Sequence, residues 1–158
     1  MRVREVMTAT VEACGPADNL GTVAGIMWRN DCGVVPVVDA GRRVTGVITD
    51  RDICMAVATR HRLAAQIAVG ELQSGRVYAC APGDEVRAAL RVMEENQVRR
   101  LPVVDGDGAL VGVLSLHDVV RRATPTRGRG GGGVSYEDVM GVLTALAAPA
   151  AAPAGVTS

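Results

Sequence analysis

The chain contains the same sequence pattern twice. Residues 14–56 align with residues 80–122 without a gap, at a constant offset of 66 positions, the separation of Pro16 from Pro82. Several matches fall on Gly, Pro and Asp, which specify backbone conformation and therefore mean more than shared Val or Ala. Internal repetition of this kind predicts two copies of one structural unit.

Length and composition limit what these copies can build. The 158 residues suffice for one compact domain or two half-domains. A unit of about 60 residues buries only about 60% of its surface and is marginally stable, so we expect the two copies to share one core. Phe is absent, and one Trp and two Tyr are the aromatic residues, so that core must be aliphatic. Seventeen basic against seventeen acidic residues leave no net charge, which disfavours binding to nucleic acid.

The cysteines and the N-terminus indicate the class of protein. Cys14, Cys32, Cys54 and Cys80 include no Cys-x-x-Cys pair, and only two His residues could complete a metal site. We therefore expect unpaired, buried cysteines and no metal. The first residues carry charge with no apolar run behind them, which predicts neither a secretory signal nor a membrane span, and hence a cytoplasmic protein.

Each copy predicts the order strand, helix, strand, strand, helix, which is an α/β (α+β) architecture. The first copy begins with a short strand at 11–14, followed by a helix that Asp18 caps and that ends near Asn30. A hairpin follows, its second strand ends at Thr49, and a second helix covers 50–59. The second copy repeats this order, with Asp84 as the cap. Pro36 and Pro102 remove a ladder donor from the first hairpin strand of each copy, so we expect those strands to lie at an edge or to be interrupted there.

The remaining segments lie outside the two repeats. Residues 69–72 match residues 3–6, and both segments are predicted to be short lead-ins that pack against the opposite copy. Residues 124–134 form a Gly-rich linker. Ser135 and Asp138 form a capping box that opens a C-terminal helix at 135–148. The Ala- and Pro-rich residues 149–158 are predicted to be disordered.

The motifs resemble a tandem pair of cystathionine β-synthase (CBS) domains, the regulatory unit called a Bateman module. The first copy carries Val-Pro-Val-Val-Asp and Gly-Val-Ile-Thr-x-x-Asp; the second carries Arg-Arg-Leu-Pro-Val-Val-Asp and Gly-Val-Leu-Ser-x-x-Asp. On this resemblance the repeats cover residues 3–60 and 68–123. It implies a pseudo-twofold pair with a cleft on either side, each able to take an adenine nucleotide or an S-adenosyl compound, and it implies a homodimer.

The end of each hairpin carries the candidate ligand-binding groups. Thr49 and Ser115 each end a strand and begin a helix, where free backbone N–H groups and the helix dipole favour a phosphate. Three residues on, Asp52 and Asp118 can accept two hydrogen bonds from a ribose diol, the role this Asp has in the family. Each pair taken singly is also explained as a capping box, and the repetition of the motif in both copies favours a nucleotide site in at least one cleft. The predicted ligand-binding residues are Val35, Pro36, Thr49, Arg51, Asp52, Arg100, Leu101, Pro102, Ser115, His117 and Asp118.

The residues disfavour catalysis and favour regulation. Ser115, His117 and Asp118 crowd one helical turn without an oriented base, so we predict that the protein is not an enzyme. We expect a sensor that binds AMP, ADP, ATP or S-adenosylmethionine as a regulatory ligand, needs no obligatory cofactor, and passes a conformational change to a partner protein. The alternative is a ligand-free dimerisation or scaffold module. Neutral charge and few aromatic residues disfavour nucleic acid as a partner, and no segment predicts a membrane partner.

Overall fold

Two copies of one helix, hairpin and helix unit follow each other along the chain. The computed structural model describes residues 1–72, 76–125 and 133–148. A two-residue strand, β1 (Thr8–Ala9), precedes them. The first copy comprises α1 (Leu20–Arg29), β2 (Val34–Val38), β3 (Val44–Thr49) and α2 (Asp50–Arg60). The second comprises α3 (Val86–Asn96), β4 (Arg100–Val104), β5 (Leu110–Ser115) and α4 (Leu116–Val120), and α5 (Tyr136–Ala147) follows. The predicted α/β architecture is therefore confirmed.

The two hairpins have the same register. β2 pairs antiparallel with β3, β4 pairs antiparallel with β5, and both hairpins shift register at the last residue of the first strand. Pro36 and Pro102 lie in strands with one strand neighbour, as predicted. The predicted leading strands are each reduced to one bridging residue, Cys14 or Cys80. The N–H of Cys14 donates to the Pro36 carbonyl at 3.0 Å, and the N–H of Cys80 donates to that of Pro102 at 3.1 Å.

The predicted caps of α1 and α3 are wrong by one residue. Asn19 is the N-cap of α1, and its side chain accepts a hydrogen bond from the third residue on. Glu85 occupies the N-cap position of α3 without a side-chain cap. The carboxylates of Asp18 and Asp84 instead accept from the backbone N–H three residues earlier, at 2.7 and 2.8 Å. These carboxylates close the turn before the helix, and the N-cap position falls on the next residue in each copy.

The two lead-ins are exchanged between the copies, as predicted. The N–H of Val3 donates to the carbonyl of Asp84 at 2.9 Å, and the N–H of Val69 donates to that of Asp18 at 2.8 Å. Both valines are fully buried. The expected single core is instead two clusters: Val3 belongs to that of the second repeat, and Val69 to that of the first. Each repeat therefore builds its own core and borrows one segment to complete it.

The C-terminal helix α5 packs against α3 and α4 of the second repeat. Ser135 and Asp138 form the predicted capping box. The Nε of Arg87 on α3 also lies 3.2 Å from the Asp138 carboxylate. Partial burial alone raises the pKa of Asp138, but the hydrogen bonds from Ser135 and the Arg87 charge outweigh it and hold this pKa below its usual value. Residues 126–132 of the predicted linker and the predicted tail 149–158 lie outside the described residues.

The cysteines divide into two groups. Cys14 and Cys80 are buried, as expected, and burial raises their pKa to about 11 and about 12. Cys32 is half-buried, whereas Cys54 is exposed on α2, so the expectation of burial is wrong for Cys54. It fails because α2 presents much of its surface to solvent, and Ala56 is its one fully buried residue. Within the described residues, no helix is long and apolar enough to cross a membrane.

Candidate ligand-binding cleft

A cavity of about 290 Å³ lies where the N-terminal segment, the first repeat and the second repeat meet. β1 forms part of its wall because it pairs antiparallel with β5, with Thr8 opposite Val113 and Ala9 opposite Gly112. The lining residues come from all three segments and are Thr8, Thr10, Val11, Glu12, Ile26, Asn30, Asp31, Cys32, Val34, Pro36, Arg100, Val113, Ser115, His117 and Asp118. A ligand in this cleft would therefore touch both repeats at once.

The cleft brings together one group of the predicted site residues. That group consists of Pro36, Arg100, Ser115, His117 and Asp118, of which the first belongs to the first repeat and the rest to the second. The guanidinium of Arg100 is exposed and has no hydrogen-bond or salt-bridge partner within the part of the chain that the structure describes.

The other predicted residues do not border this cavity. Val35, Leu101 and Pro102 are buried in their strands. Thr49, Arg51 and Asp52 lie at the start of α2. The positions that match Thr8 and Ala9 at the offset of 66 are Ser74 and Gly75, which lie outside the described residues. A second cleft at Asp52 therefore stays a prediction.

Asp118 is held by a capping box and still has one free oxygen. Its Oδ2 accepts hydrogen bonds from the N–H of Ser115 at 3.0 Å and from the Ser115 hydroxyl at 2.5 Å. In return the N–H of Asp118 donates to the Ser115 hydroxyl at 3.1 Å. Oδ1 has no hydrogen-bond partner among the described residues. The capping interpretation is therefore correct, and it leaves a fixed, half-buried carboxylate oxygen at the cleft.

The same capping box opens α2. The carboxylate of Asp52 accepts from the N–H and the hydroxyl of Thr49 at 2.9 and 2.7 Å, and the N–H of Asp52 donates to that hydroxyl at 3.2 Å. Asp52 is exposed, whereas Asp118 is half-buried. The two aspartates thus have the same local bonding in different surroundings, which makes each a control for the other.

The free N–H groups expected at the helix starts are mostly occupied. At α4, the N–H of Leu116 donates to the carbonyl of Arg99 at 2.9 Å and that of Asp118 to the Ser115 hydroxyl, which leaves the N–H of His117. At α2, all three of the first N–H groups have protein acceptors: the Gly33 carbonyl at 3.2 Å, the Asp50 carboxylate at 2.7 Å and the Thr49 hydroxyl. The expected free donors are therefore all occupied at the start of α2 and reduced to one N–H group, that of His117, at the start of α4.

Two acidic residues of the cleft were missed by the sequence analysis. Glu12 and Asp31 both line the cavity. Glu12 is held in place, because its carboxylate accepts from the Arg29 guanidinium and the Asn30 amide, both at 3.1 Å. The carboxylate of Asp31 has no hydrogen-bond or salt-bridge partner among the described residues. At the offset of 66 the counterparts of Glu12 and Asp31 are Tyr78 and Gln97, so the repeat comparison could not have indicated them.

An exposed apolar surface on the first repeat has a covered counterpart on the second. Trp28 on α1 is 89% exposed and borders an open hollow with Ala24 and Ile53. The equivalent surface of α3 and α4 is covered by α5, which buries Val139 and Val142 against the second core. The two repeats therefore present different surfaces to the outside.

Comparison with known proteins assigns the family. The CBS domain model matches residues 3–59 and 69–124. The chain belongs to the CBS-domain family.

Related CBS-domain proteins match over most of their length. The CBS domain-containing protein YhcV of Bacillus subtilis is 32% identical over 117 residues, which cover 74% of this chain and 81% of that protein. Hypoxic response protein 1 of Mycobacterium tuberculosis is 32% identical over 118 residues, covering 75% of this chain and 82% of that protein.

Solved structures of this family superimpose on the chain. The crystal structure of hypoxic response protein I with two coordinated zinc ions has a TM-score of 0.71 at 31% identity and covers 78% of this chain and 100% of its own. The structure of CBSX2 in complex with AMP has a TM-score of 0.64 at 25% identity and covers 76% and 93%. In the described part of this CBS pair, no three His, Cys, Asp or Glu side chains form a group that could hold a metal ion.

Proposed function

We propose that this CBS-domain protein is a regulatory sensor that binds an adenosine-containing metabolite, of the AMP, ADP, ATP or S-adenosylmethionine class, in the cleft. The observation that carries the proposal is the carboxylate of Asp118, which lines a cavity formed by both repeats and whose Oδ1 has no hydrogen-bond partner among the described residues. A carboxylate oxygen fixed in this way can accept charge-assisted hydrogen bonds from a ribose diol. The AMP complex of the related CBSX2 supports the same class of ligand.

The cleft gives such a ligand a means of regulation. The ligand would contact β1 and Pro36 on one side and the first turn of α4 on the other. α5 packs against α4 and is the element through which a shift of α4 would reach the surface. A ligand that binds one arrangement of these segments more tightly than another would change their populations. The protein acts in this proposal as a cytoplasmic regulator of a partner protein, without enzyme activity and without an obligatory cofactor.

We include a homodimer in the proposal, as well as a second cleft at Thr49, Arg51 and Asp52. The exposed Trp28 surface supports the dimer, because a large exposed apolar patch marks an interaction site. The same surface also favours the alternative function, a ligand-free dimerisation or scaffold module. The two functions differ in one measurable property, namely whether any adenosine compound binds.

Thermal denaturation with AMP, ADP, ATP, NAD and S-adenosylmethionine distinguishes the two functions. A ligand at 100 times its dissociation constant stabilises the fold by about 2.7 kcal/mol. Asp118→Ala should lose the carboxylate half of the capping box, at a cost of about 1 kcal/mol, and also the affinity of the described cleft. Asp52→Ala, which breaks the same capping box, should lose a similar amount of stability and keep the affinity of that cleft.

The variants also test the assignment of the ribose ligands. The double variant Asp52→Ala with Asp118→Ala should show no ligand-dependent shift and remain folded. A double variant with the wild-type shift would contradict the role of both carboxylates. If no compound shifts the melting temperature of the wild-type protein, the scaffold function is the correct one.

A further inference from the structure

The charges around the cleft are mainly negative. Three carboxylates border it, those of Glu12, Asp31 and Asp118, against the single guanidinium of Arg100 within the described residues. Arg29 neutralises part of the Glu12 charge through their 3.1 Å salt bridge, but it does not border the cavity. Even with Glu12 discounted, acidic groups outnumber the cation. A ligand that carries several negative charges would therefore be repelled.

The backbone offers little to offset that repulsion. Phosphate groups in proteins are commonly held by free N–H groups at the N-terminus of a helix. At α4 two of the first three N–H groups already have acceptors inside the protein, and the N–H of the N-cap residue, Ser115, donates to the Oδ2 of Asp118. α4 also spans only Leu116–Val120, so its dipole is small. A polyphosphate would find a carboxylate where it needs donors.

The size of the cleft points the same way. Its volume of about 290 Å³ lies just below the range for small-molecule sites, about 300 to 1,000 Å³. A nucleoside with a short 5′ substituent suits that volume better than any nucleoside with an extended 5′ chain, so a preference for an S-adenosyl compound over a polyphosphate depends on charge and not on size.

We infer that the cleft selects adenosine derivatives whose 5′ group is neutral or positively charged, such as a thioether or a sulfonium, over nucleoside polyphosphates, and that Glu12 and Asp31 are the residues that make this selection. The inference rests on the proposed function, which it narrows. It also assigns a role to two residues outside the repeated motifs. The carboxylates of Glu12 and Asp31 act by repelling phosphate, whereas that of Asp118 binds the ribose.

Calorimetric titration at pH 7.5 in a buffer free of divalent cations tests the selection. The ligands are 5′-methylthioadenosine, S-adenosylmethionine, AMP, ADP and ATP. We expect affinity to fall as phosphates are added, with ATP binding at least about tenfold more weakly than 5′-methylthioadenosine. Asp31→Asn and Glu12→Gln should each reduce that ratio by about threefold, chiefly by improving the affinity for ATP.

A matched control separates a local effect from a change in net charge. Asp107→Asn removes one exposed carboxylate from the β4–β5 turn, outside the cleft, and should leave the ratio unchanged. If ATP binds as tightly as 5′-methylthioadenosine, or if the two cleft variants leave the ratio unchanged, the inference is wrong while the proposed function stands. If none of the five compounds binds, the proposed function fails and the inference fails with it.

Discussion

Gly112 should be the residue whose lack of a side chain allows β1, which forms one wall of the cleft, to pack against β5. A Cβ atom at this position would lie 2.7 Å from the carbonyl oxygen of Thr8 and 3.1 Å from the sulfur of Met7. The methionine side chain can move, but the Thr8 oxygen belongs to the backbone of β1. Gly112→Ala therefore requires the two strands to separate, since real Cβ atoms are not found at that distance.

The size of the effect follows from two opposing terms. Overpacking costs about 1 to 3 kcal/mol. Replacing a strand Gly by Ala returns about 0.5 to 1 kcal/mol of chain entropy. With the midpoints of both ranges, about 2 and about 0.75 kcal/mol, we expect Gly112→Ala to lower the free energy of unfolding by a net of about 1 kcal/mol, about 2 to 4 °C in melting temperature. Ligand affinity should fall too, because Thr8 and Thr10 line the cleft.

The same substitution in α5 provides the control. Gly141 lies inside a helix and has no atom within 4 Å of an added Cβ, so Gly141→Ala should raise stability by about 1 kcal/mol. Urea denaturation followed by circular dichroism measures both variants, and ligand titration follows. If Gly112→Ala is as stable as Gly141→Ala and binds ligand normally, β1 is not held against β5 in solution and the described wall of the cleft is wrong.

Three further predictions concern α5, the thiols and the exposed surface. Because the pKa of Asp138 is lowered in the folded state, the ionised carboxylate contributes to stability above about pH 4, and this contribution is lost as the pH falls through the folded-state pKa. The backbone amides of α5 should therefore exchange hydrogen faster in acid. Asp138→Asn should show the fast exchange already at neutral pH. At pH 8 a thiol reagent should modify Cys54 first, whereas Cys14 and Cys80 should react only on unfolding, as measured by mass spectrometry. Trp28→Glu should convert the proposed dimer to a monomer in light scattering, and an unchanged mass would exclude this surface as the dimer contact.

The sequence was sufficient to predict the parts of the fold that depend on local patterns. Helix stripes and the β-branched runs at 34–38 and 101–104 placed the helices and hairpins closely, because periodicity and backbone-specifying residues act over a few positions. The exchange of lead-ins was also predictable, since Val3 and Val69 match at the offset of the repeat. The capping boxes at Ser115 and Ser135 were found for the same reason.

Features that depend on long-range packing could not be predicted. The cleft forms where β1 crosses to β5, and the repeat comparison contains no information about that crossing. Glu12 and Asp31 were missed because they lie outside the shared motifs. The caps at Asp18 and Asp84 were misplaced because a carboxylate in this position has competing backbone donors before and after it, and the local backbone conformation decides between them.

The exchanged lead-ins have a consequence for the origin of the chain. Val3 contacts the second copy as Val69 contacts the first, with the same backbone bond at nearly the same length. Two separate, identical polypeptides, each with its own lead-in, could make both bonds across a twofold axis. Joining two such genes end to end would give a chain with the same two contacts. Each half could then change separately, as in the acidic lining of the cleft and the helix α5 added to the second repeat.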